Sequence, residues 1–158
     1  MALIDTEARI LEDKWNYDGE AIAANAVVPF AALAENASVP HPIGIRVTPD
    51  VGADKVAPLL GRVDLVVIEF PKFRDGRGFT TARALREKYG YEGEIRAIGH
   101  VIPDQFDFLV QCGFSTLVTP PEHPPEQWKA VIPAGGGEGS NKRPLQLLNR
   151  LIGPRGAV

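Results

Sequence analysis

The sequence is poor in the residues that carry redox and metal chemistry. It has one cysteine, one methionine and three histidines among 158 residues. A lone Cys112 excludes an intrachain disulfide, a Cys-x-x-Cys redox pair and an all-cysteine metal site within one chain. We therefore expect no intrinsic metal ion and no intrinsic redox cofactor.

Long apolar runs are absent as well. No run approaches the roughly 20 residues of a membrane helix, and MALIDTEARILEDK lacks the basic start and apolar stretch of a signal peptide. The net charge of −3 argues against general nucleic-acid binding. The sequence thus predicts a cytoplasmic protein that binds neither membranes nor nucleic acids.

The residues that are present have the composition of a globular domain, with 44% apolar and 23% charged residues. From Ile43 onward, short β-rich runs alternate with helical stretches, as in parallel βαβ units. The predicted strand–helix pairs are 43–47 with 53–61, 65–70 with 79–90, 94–99 with 103–113, and 115–120 with 124–132. Pro58 is expected to shorten or bend the first helix. We expect an α/β fold with a parallel sheet of about four βα units, either open or curved like half of a (β/α)8 barrel.

The residues at the two ends of the chain predict a cap, a linker and a terminal helix in addition to the βα units. Residues 1–133 are expected to form one α/β domain, in which 1–40 make a short β/α cap on the units of 43–132. Within the cap, 8–15 predict a short edge strand and 26–33 a strand that leads into a helix. The composition of 134–144 is typical of a flexible linker. Leucines at helical spacing in 145–153 predict a C-terminal helix that docks on its own domain or on a second copy, forming a homodimer.

The stretch EFPKFRDGRGF follows the most apolar predicted strand. Ligands bind at the carboxyl ends of parallel strands, and the N–H groups that begin the next helix attract anions. We therefore predict a ligand or anion site in this loop, with Gly76 and Gly78 allowing the turn; the alternative is a loop that ties down neighbouring strands. The candidate ligand residues of the loop are Lys72, Arg74, Asp75 and Arg77. The GRG tripeptide is neither a dinucleotide fingerprint nor a P-loop.

Three predicted strands each carry one charged residue between apolar neighbours: Arg46, Glu69 and Arg96. If the strands are adjacent, the two arginines flank Glu69 in one polar layer, which is either an anion site or a structural ion network. Glu69 and His100 are the candidate general bases, although a histidine at a strand end is also a common polar loop residue. Cys112 is interpreted as buried and inert. The basic residues of the helix that follows, 83, 86 and 88, are interpreted as a solvated face.

The stretch FPKFRDGRGFTTARALREKYGYEGEIRAIG, followed by DQFDFLVQCGFSTL, resembles the signature of a bacterial family of unknown function whose genes neighbour that of sulfite reductase. The resemblance spans 43–117, with weaker agreement at ILEDKW and VVPFAAL. Family members are described as oxidoreductases or accessory proteins of sulfite reduction. This chain has His100 where the family usually has an acidic residue, and its glycine-rich end replaces the family's aromatic ending.

The resemblance implies an accessory protein of assimilatory sulfite reduction that binds sulfite reductase, its electron donor or a small anion such as sulfite. The residues themselves do not support the oxidoreductase label, because there is no nucleotide fingerprint, cysteine pair or metal cluster. The alternative is a lyase or isomerase acting on an anionic metabolite, with Glu69 or His100 as the base. A third hypothesis is a non-catalytic homodimeric scaffold.

Overall fold

The structure is a computed structural model that describes residues 1–17, 21–36 and 38–132. These residues form a mixed α/β fold around one seven-stranded sheet. The strands are β1 Leu3–Asp5, β2 Ile10–Leu11, β3 Ala26–Pro29, β4 Ile43–Val47, β5 Leu65–Phe70, β6 Glu94–Gly99 and β7 Thr116–Val118. The helices are α1 Phe30–Ala34, α2 Ala53–Val56, α3 Arg77–Glu87, α4 Phe106–Cys112 and α5 Pro125–Ala130, with 3₁₀ helices at Ala57–Arg62 and Pro103–Gln105. The predicted linker 134–144 and C-terminal helix 145–153 lie outside the described residues.

The strands lie in the order β2-β1-β7-β6-β5-β4-β3. Strands β3 to β7 are parallel and follow chain order, whereas β1 pairs antiparallel with both β7 and β2. Right-handed crossovers between successive neighbouring strands place every connecting helix on the same face of the sheet. The sheet is open, because β2 and β3 lie at its opposite ends.

The side chains of β5 point alternately to the two faces of the sheet. Val66, Ile68 and Phe70 face the helices and join the main core, while Leu65 and Val67 belong to a small cluster on the second face. Both sets are almost fully buried, so the strand has the continuous apolar run that a central parallel strand requires. The helices contribute to the main core through Leu33, Val56, Leu59, Phe79, Ala82, Leu85, Phe106, Leu109, Val110 and Trp128.

Pro58 limits the first long helix as predicted. The segment is α-helical only over α2 and continues as a 3₁₀ helix from Ala57 to Arg62. A proline inside an α-helix removes one hydrogen bond and clashes with the preceding turn. At the other end of the fold, α4 ends at Gly113, whose φ of 109° is the left-handed conformation that favours glycine.

The N-terminal residues extend the sheet at both edges, where the sequence predicted a cap. β3 leads directly into α1, so the strand–helix alternation begins before Ile43. The β1–β2 ribbon joins the opposite edge through β7. The three-residue strand β1 was not predicted from the sequence, because such a short run has no recognisable period. Trp15 and Tyr17 lie on the second face, against the small apolar cluster.

Across the described ranges, no helix is both long enough and apolar enough to cross a bilayer.

Candidate functional site

The loop between β5 and α3, residues 71–76, lies at the carboxyl edge of the parallel strands and is called here the central loop. Its backbone turns where the Asp75 N–H donates to the Lys72 carbonyl at 3.1 Å. The Asp75 carboxylate then accepts the backbone N–H of Arg77 at 3.1 Å, at the start of α3. The loop is held from the next connection by Gln105, whose Nε2 donates to the Phe73 carbonyl at 2.9 Å. The central loop is therefore an ordered turn that is hydrogen-bonded to the start of α3 and to the 3₁₀ helix that ends at Gln105.

The charge of Arg77, the first residue of α3, is neutralised by Asp75 of the central loop. Its Nη2 lies 2.7 Å from Asp75 Oδ2 and its Nε lies 3.0 Å from Oδ1, a two-point ion pair. The side-chain hydrogen bonds from Arg77 lower the pKa of Asp75 to about 2. The sequence analysis listed both residues as candidate ligand residues, and the structure pairs them with each other.

Lys72 and Arg74 are the cations of the loop that have no such partner. Both side chains are exposed, and within 1–17, 21–36 and 38–132 neither forms an ion pair. The Arg74 guanidinium lies over the Phe73 ring, 5.6 Å from its centroid. This cation–π contact orients the guanidinium while leaving its N–H donors in solvent.

Two large aromatic side chains are exposed, one in the central loop and one on α4. Phe73 is 42% exposed and Phe108 is 47% exposed. Phe108 follows Gln105 by three positions, one turn along the chain, and Gln105 contacts the Phe73 carbonyl. We call Lys72, Phe73, Arg74 and Phe108 the aromatic–basic surface.

Packed aromatic rings connect the aromatic–basic surface to the core. The Phe108 ring lies 4.8 Å from that of Phe79, which lies 5.1 Å from that of Phe70 in the core. Sequence analysis missed Phe108. A signal for it was present, since residues two apart on a helix point about 200° apart; with Phe106 buried, Phe108 has to face outward.

The three charged strand residues share one face of adjacent strands, as the alternation predicted. Val67 of β5 lies between Arg46 and Arg96 in the register, and Glu69 is one step further along the same face. Arg46 Nε lies 3.8 Å from Glu69 Oε1, which is too long for a hydrogen bond, and both side chains are partly exposed. Arg96 forms its ion pairs elsewhere, so the three residues do not form one cluster.

Arg96 is 3% exposed, and its donors are occupied by protein groups. It donates to Glu94 at 2.7 Å, to Thr116 at 3.1 Å and to Asp13 at 3.1 Å, and also to the Tyr17 hydroxyl. Burial lowers the pKa of Arg96, but the hydrogen bonds and charge interactions with Glu94 and Tyr17 together outweigh this effect and raise it. Arg96 is therefore the centre of a structural ion network, and its donors are already bonded within the protein. The sequence left that alternative open, but could not show which partners it would have.

The two candidate general bases are not assembled into an acid–base pair. Glu69 forms its ion pair with Arg46. His100 is exposed; its backbone N–H donates to the Phe70 carbonyl at 2.6 Å, and its imidazole has no hydrogen bond within the described part of the chain. Gly99, the last residue of β6, has φ 100°, and a Cβ there would lie 2.4 Å from the Phe70 carbonyl oxygen. Glycine at this position thus allows the backbone of β6 to lie close to the Phe70 carbonyl of β5.

Gly76, which ends the central loop, and Gly78, in the first turn of α3, differ in their roles. Gly76 has a φ of −84°, which any residue adopts, and an added Cβ there would meet open space. The turn therefore does not need glycine at this position, contrary to the sequence prediction. A Cβ on Gly78 would lie 2.7 Å from the Phe70 ring, so Gly78 is required for the packing of α3 on β5.

Arg86 was interpreted as part of a solvated face, and the structure corrects this. Its guanidinium donates to the carbonyls of Tyr91, Gly93 and Gly113 at 2.7–2.9 Å and to the Ser115 hydroxyl at 3.0 Å. Burial lowers its pKa. Arg86 thus joins α3 to the connections that precede β6 and β7.

Cys112 is buried at the end of α4, as the sequence analysis expected. Burial raises the pKa of its thiol, and Arg83 Nη2 lies 3.8 Å from the sulfur. The neutral thiol that results is a poor nucleophile. The residues of the three described ranges contain no group of three or more His, Cys, Asp or Glu side chains placed to hold a metal ion.

Comparison with known proteins shows a match to a protein family. A family model described as "Bacterial protein of unknown function (DUF934)" matches residues 44–134, more than half of the chain. No curated protein and no solved structure matches. The match covers β4 to β7 and therefore the central loop, Phe108 and the three charged strand residues.

Proposed function

The chain belongs to the bacterial family of unknown function DUF934, and we propose that it is an accessory protein that binds a partner protein through the aromatic–basic surface. One observation carries the proposal: Lys72 and Arg74 are exposed and form no ion pair in the described chain, and they flank the exposed Phe73, whose carbonyl is bonded by Gln105 one turn before the exposed Phe108. Aromatic residues and arginine are enriched in protein interfaces. The cations favour an acidic partner.

Assimilatory sulfite reduction is the proposed setting. Support for it comes from the resemblance of the central stretch and of DQFDFLVQCGFSTL to proteins of that process. The proposed partner is sulfite reductase or its electron donor. The chain itself would act by contact, with its surface complementary to an acidic face of that partner.

Enzymatic action receives less support from the geometry. A lyase or isomerase would need Glu69 or His100 as a positioned base. Glu69 is paired with Arg46, and no described group orients the imidazole of His100. We therefore favour binding over catalysis. The homodimeric scaffold based on the terminal helix concerns residues outside the described ranges.

The test uses two doubly substituted variants that lose the same charge. Lys72→Ala with Arg74→Ala removes the cations of the aromatic–basic surface. Lys88→Ala with Lys129→Ala removes two exposed cations elsewhere, Lys88 at the end of α3 and Lys129 in α5. Binding to purified sulfite reductase and to its purified electron donor is measured by biolayer interferometry, with folding checked by circular dichroism.

We expect wild type and the Lys88/Lys129 variant to bind one of the two proteins with equal affinity. The Lys72/Arg74 variant should bind at least about tenfold more weakly, which corresponds to about 1.4 kcal/mol. Phe73→Ala should also weaken binding, because the apolar part of the contact is lost. Equal binding by both double variants, or no binding by wild type, would refute the proposal.

A further inference from the structure

The tip of the central loop is a β-turn over residues 72–75, with Phe73 and Arg74 at its two central positions. The turn is closed by the bond from the Asp75 N–H to the Lys72 carbonyl at 3.1 Å. That closing bond does not involve the peptide between the two central residues, whose orientation sets the backbone torsions on either side of it. The directions of the Phe73 and Arg74 side chains therefore depend on how this one peptide is held.

Gln105 holds this peptide from the connection between β6 and α4. Its Nε2 donates to the Phe73 carbonyl at 2.9 Å, and its Oε1 accepts the backbone N–H of Ile102 at 3.3 Å. Because the Ile102 N–H needs the oxygen of the carboxamide, the nitrogen is directed toward the Phe73 carbonyl. Both ends of the Gln105 side chain are thus used, and the two partners define its orientation.

The bond between Gln105 and Phe73 joins the two parts of the aromatic–basic surface. Phe73 and Arg74 belong to the turn, whereas Phe108 belongs to α4, which begins directly after Gln105. The bond links these parts across 32 residues of chain. One carboxamide therefore connects the exposed cation and the two exposed aromatic rings.

From this geometry we propose that Gln105 is a positioning residue for partner binding. Its side chain fixes the central peptide of the turn, so that Phe73 and Arg74 are presented in one arrangement relative to Phe108. A surface that is ordered before binding loses less conformational entropy when the complex forms. The effect on binding rests on the proposed function, whereas the order of the turn is a property of this chain alone.

Two substitutions at Gln105 separate its bonds. Gln105→Glu keeps an oxygen for the Ile102 N–H but replaces the donor with an acceptor that faces the Phe73 carbonyl. Gln105→Met removes both bonds without adding a charge. Gln111→Glu is the matched control, because it makes the same change of charge in α4, where Gln111 bonds Asp107 of its own helix.

The order of the turn is measured without a partner. Trypsin cleaves after lysine, and exposed loop tips are cut when their backbone is free to move. Cleavage of the native protein after Lys72 should be about fivefold faster in both Gln105 variants, as expected for the loss of one hydrogen bond. The NMR signal of the Arg74 amide, which belongs to the held peptide, should shift in the same variants. Gln111→Glu should match wild type in both measurements.

Binding to purified sulfite reductase and to its purified electron donor is then measured for the same set of proteins by biolayer interferometry. Both Gln105 variants should bind about fivefold more weakly than wild type and the Gln111→Glu control. The control carries the same added charge as Gln105→Glu, so a general electrostatic effect would weaken both. Urea unfolding should show that the Gln105 variants keep their global stability, because the bond to the Phe73 carbonyl is exposed.

Three results would overturn the inference. The first is cleavage after Lys72 that neither Gln105 variant changes. The second is faster cleavage at every tryptic site together with a loss of global stability, since Gln105 would then have a general structural role. The third is faster cleavage after Lys72 with unchanged partner binding. A wild type that binds neither protein would refute the proposed function and the binding role of Gln105 with it, and it would differ from these results because cleavage and NMR would still show the turn held by Gln105.

Discussion

Arg96 of β6 donates a hydrogen bond to Asp13 at 3.1 Å, across 83 residues of chain. The same guanidinium bonds Glu94 on its own strand and Thr116 on β7. One buried side chain therefore fastens the segment that carries Trp15 and Tyr17 to the second face of the sheet. That segment covers the apolar cluster of Val27, Leu65 and Val67.

Arg96→Ala is expected to destabilise the fold strongly. It removes the cation from two carboxylates and leaves Thr116 and Tyr17 without their shared partner. Breaking a buried ion pair costs about 3–5 kcal/mol, and the lower end applies because Asp13 and Glu94 are partly exposed. Urea unfolding measures the change. Arg46→Ala is the control, since its contact with Glu69 is long and partly solvated; an equal loss in both variants would contradict the network.

Arg86→Lys is expected to destabilise the protein although the charge is kept. A lysine cannot reach the three carbonyls and the hydroxyl that the planar guanidinium contacts together. Each carbonyl left without a partner costs about 1–3 kcal/mol where it is buried. Thermal and urea unfolding should show a clear loss. Lys88→Ala, on the same helix but exposed, should change stability by less than about 0.5 kcal/mol.

The two glycines beside the central loop give a matched pair of substitutions. Gly78→Ala should destabilise by about 1–3 kcal/mol, because its Cβ would overlap the Phe70 ring. Gly76→Ala should be neutral or stabilising by up to about 1 kcal/mol, since its backbone suits alanine and the space is open. The midpoints of denaturant unfolding compare the stabilities of the two variants. A larger loss for Gly76→Ala than for Gly78→Ala would show that α3 does not pack on β5 in this way.

The carboxyl group of Asp75 should titrate far below an ordinary aspartate. Its folded pKa of about 2 lies below the ordinary value of 3.8, so ionised Asp75 stabilises the folded state above about pH 4. That contribution is lost as the pH falls from about 4 toward 2. A carboxyl NMR titration should show the low pKa in wild type and a higher one in Arg77→Gln. An ordinary pKa in wild type would mean that the ion pair does not form in solution.

The sequence predicted the central strands well. β4, β5 and β6 coincide with the three β-rich runs, because each is an apolar segment bounded by turn residues and buried on both faces. Their adjacency also placed Arg46, Glu69 and Arg96 on one face. The partners of Arg96 could not be predicted, since Asp13 reaches it only after the chain has folded back across the sheet.

The edges of the sheet were harder to predict, for a related reason. A two- or three-residue strand carries no period, and β1 exists because β7 provides its hydrogen-bond partners. Helix geometry contained a signal for the exposure of Phe108 that the sequence analysis did not use, whereas the low exposure of Phe79 required knowledge of how α3 meets α4. Local residue patterns thus predicted the middle of the sheet, and tertiary contacts determine its edges and the docking surface.

The pairing of β1 with β7 has a consequence for synthesis. Ala2 donates to the Thr119 hydroxyl and accepts the Thr119 N–H, although the two residues are 117 positions apart. At translation rates of about 5–20 residues per second, β1 leaves the ribosome on the order of ten seconds before β7 does. Throughout that interval Leu3 and Ile4 lack the strand that buries them. The sheet is therefore completed only after β7 has been synthesised, although β1 is made first.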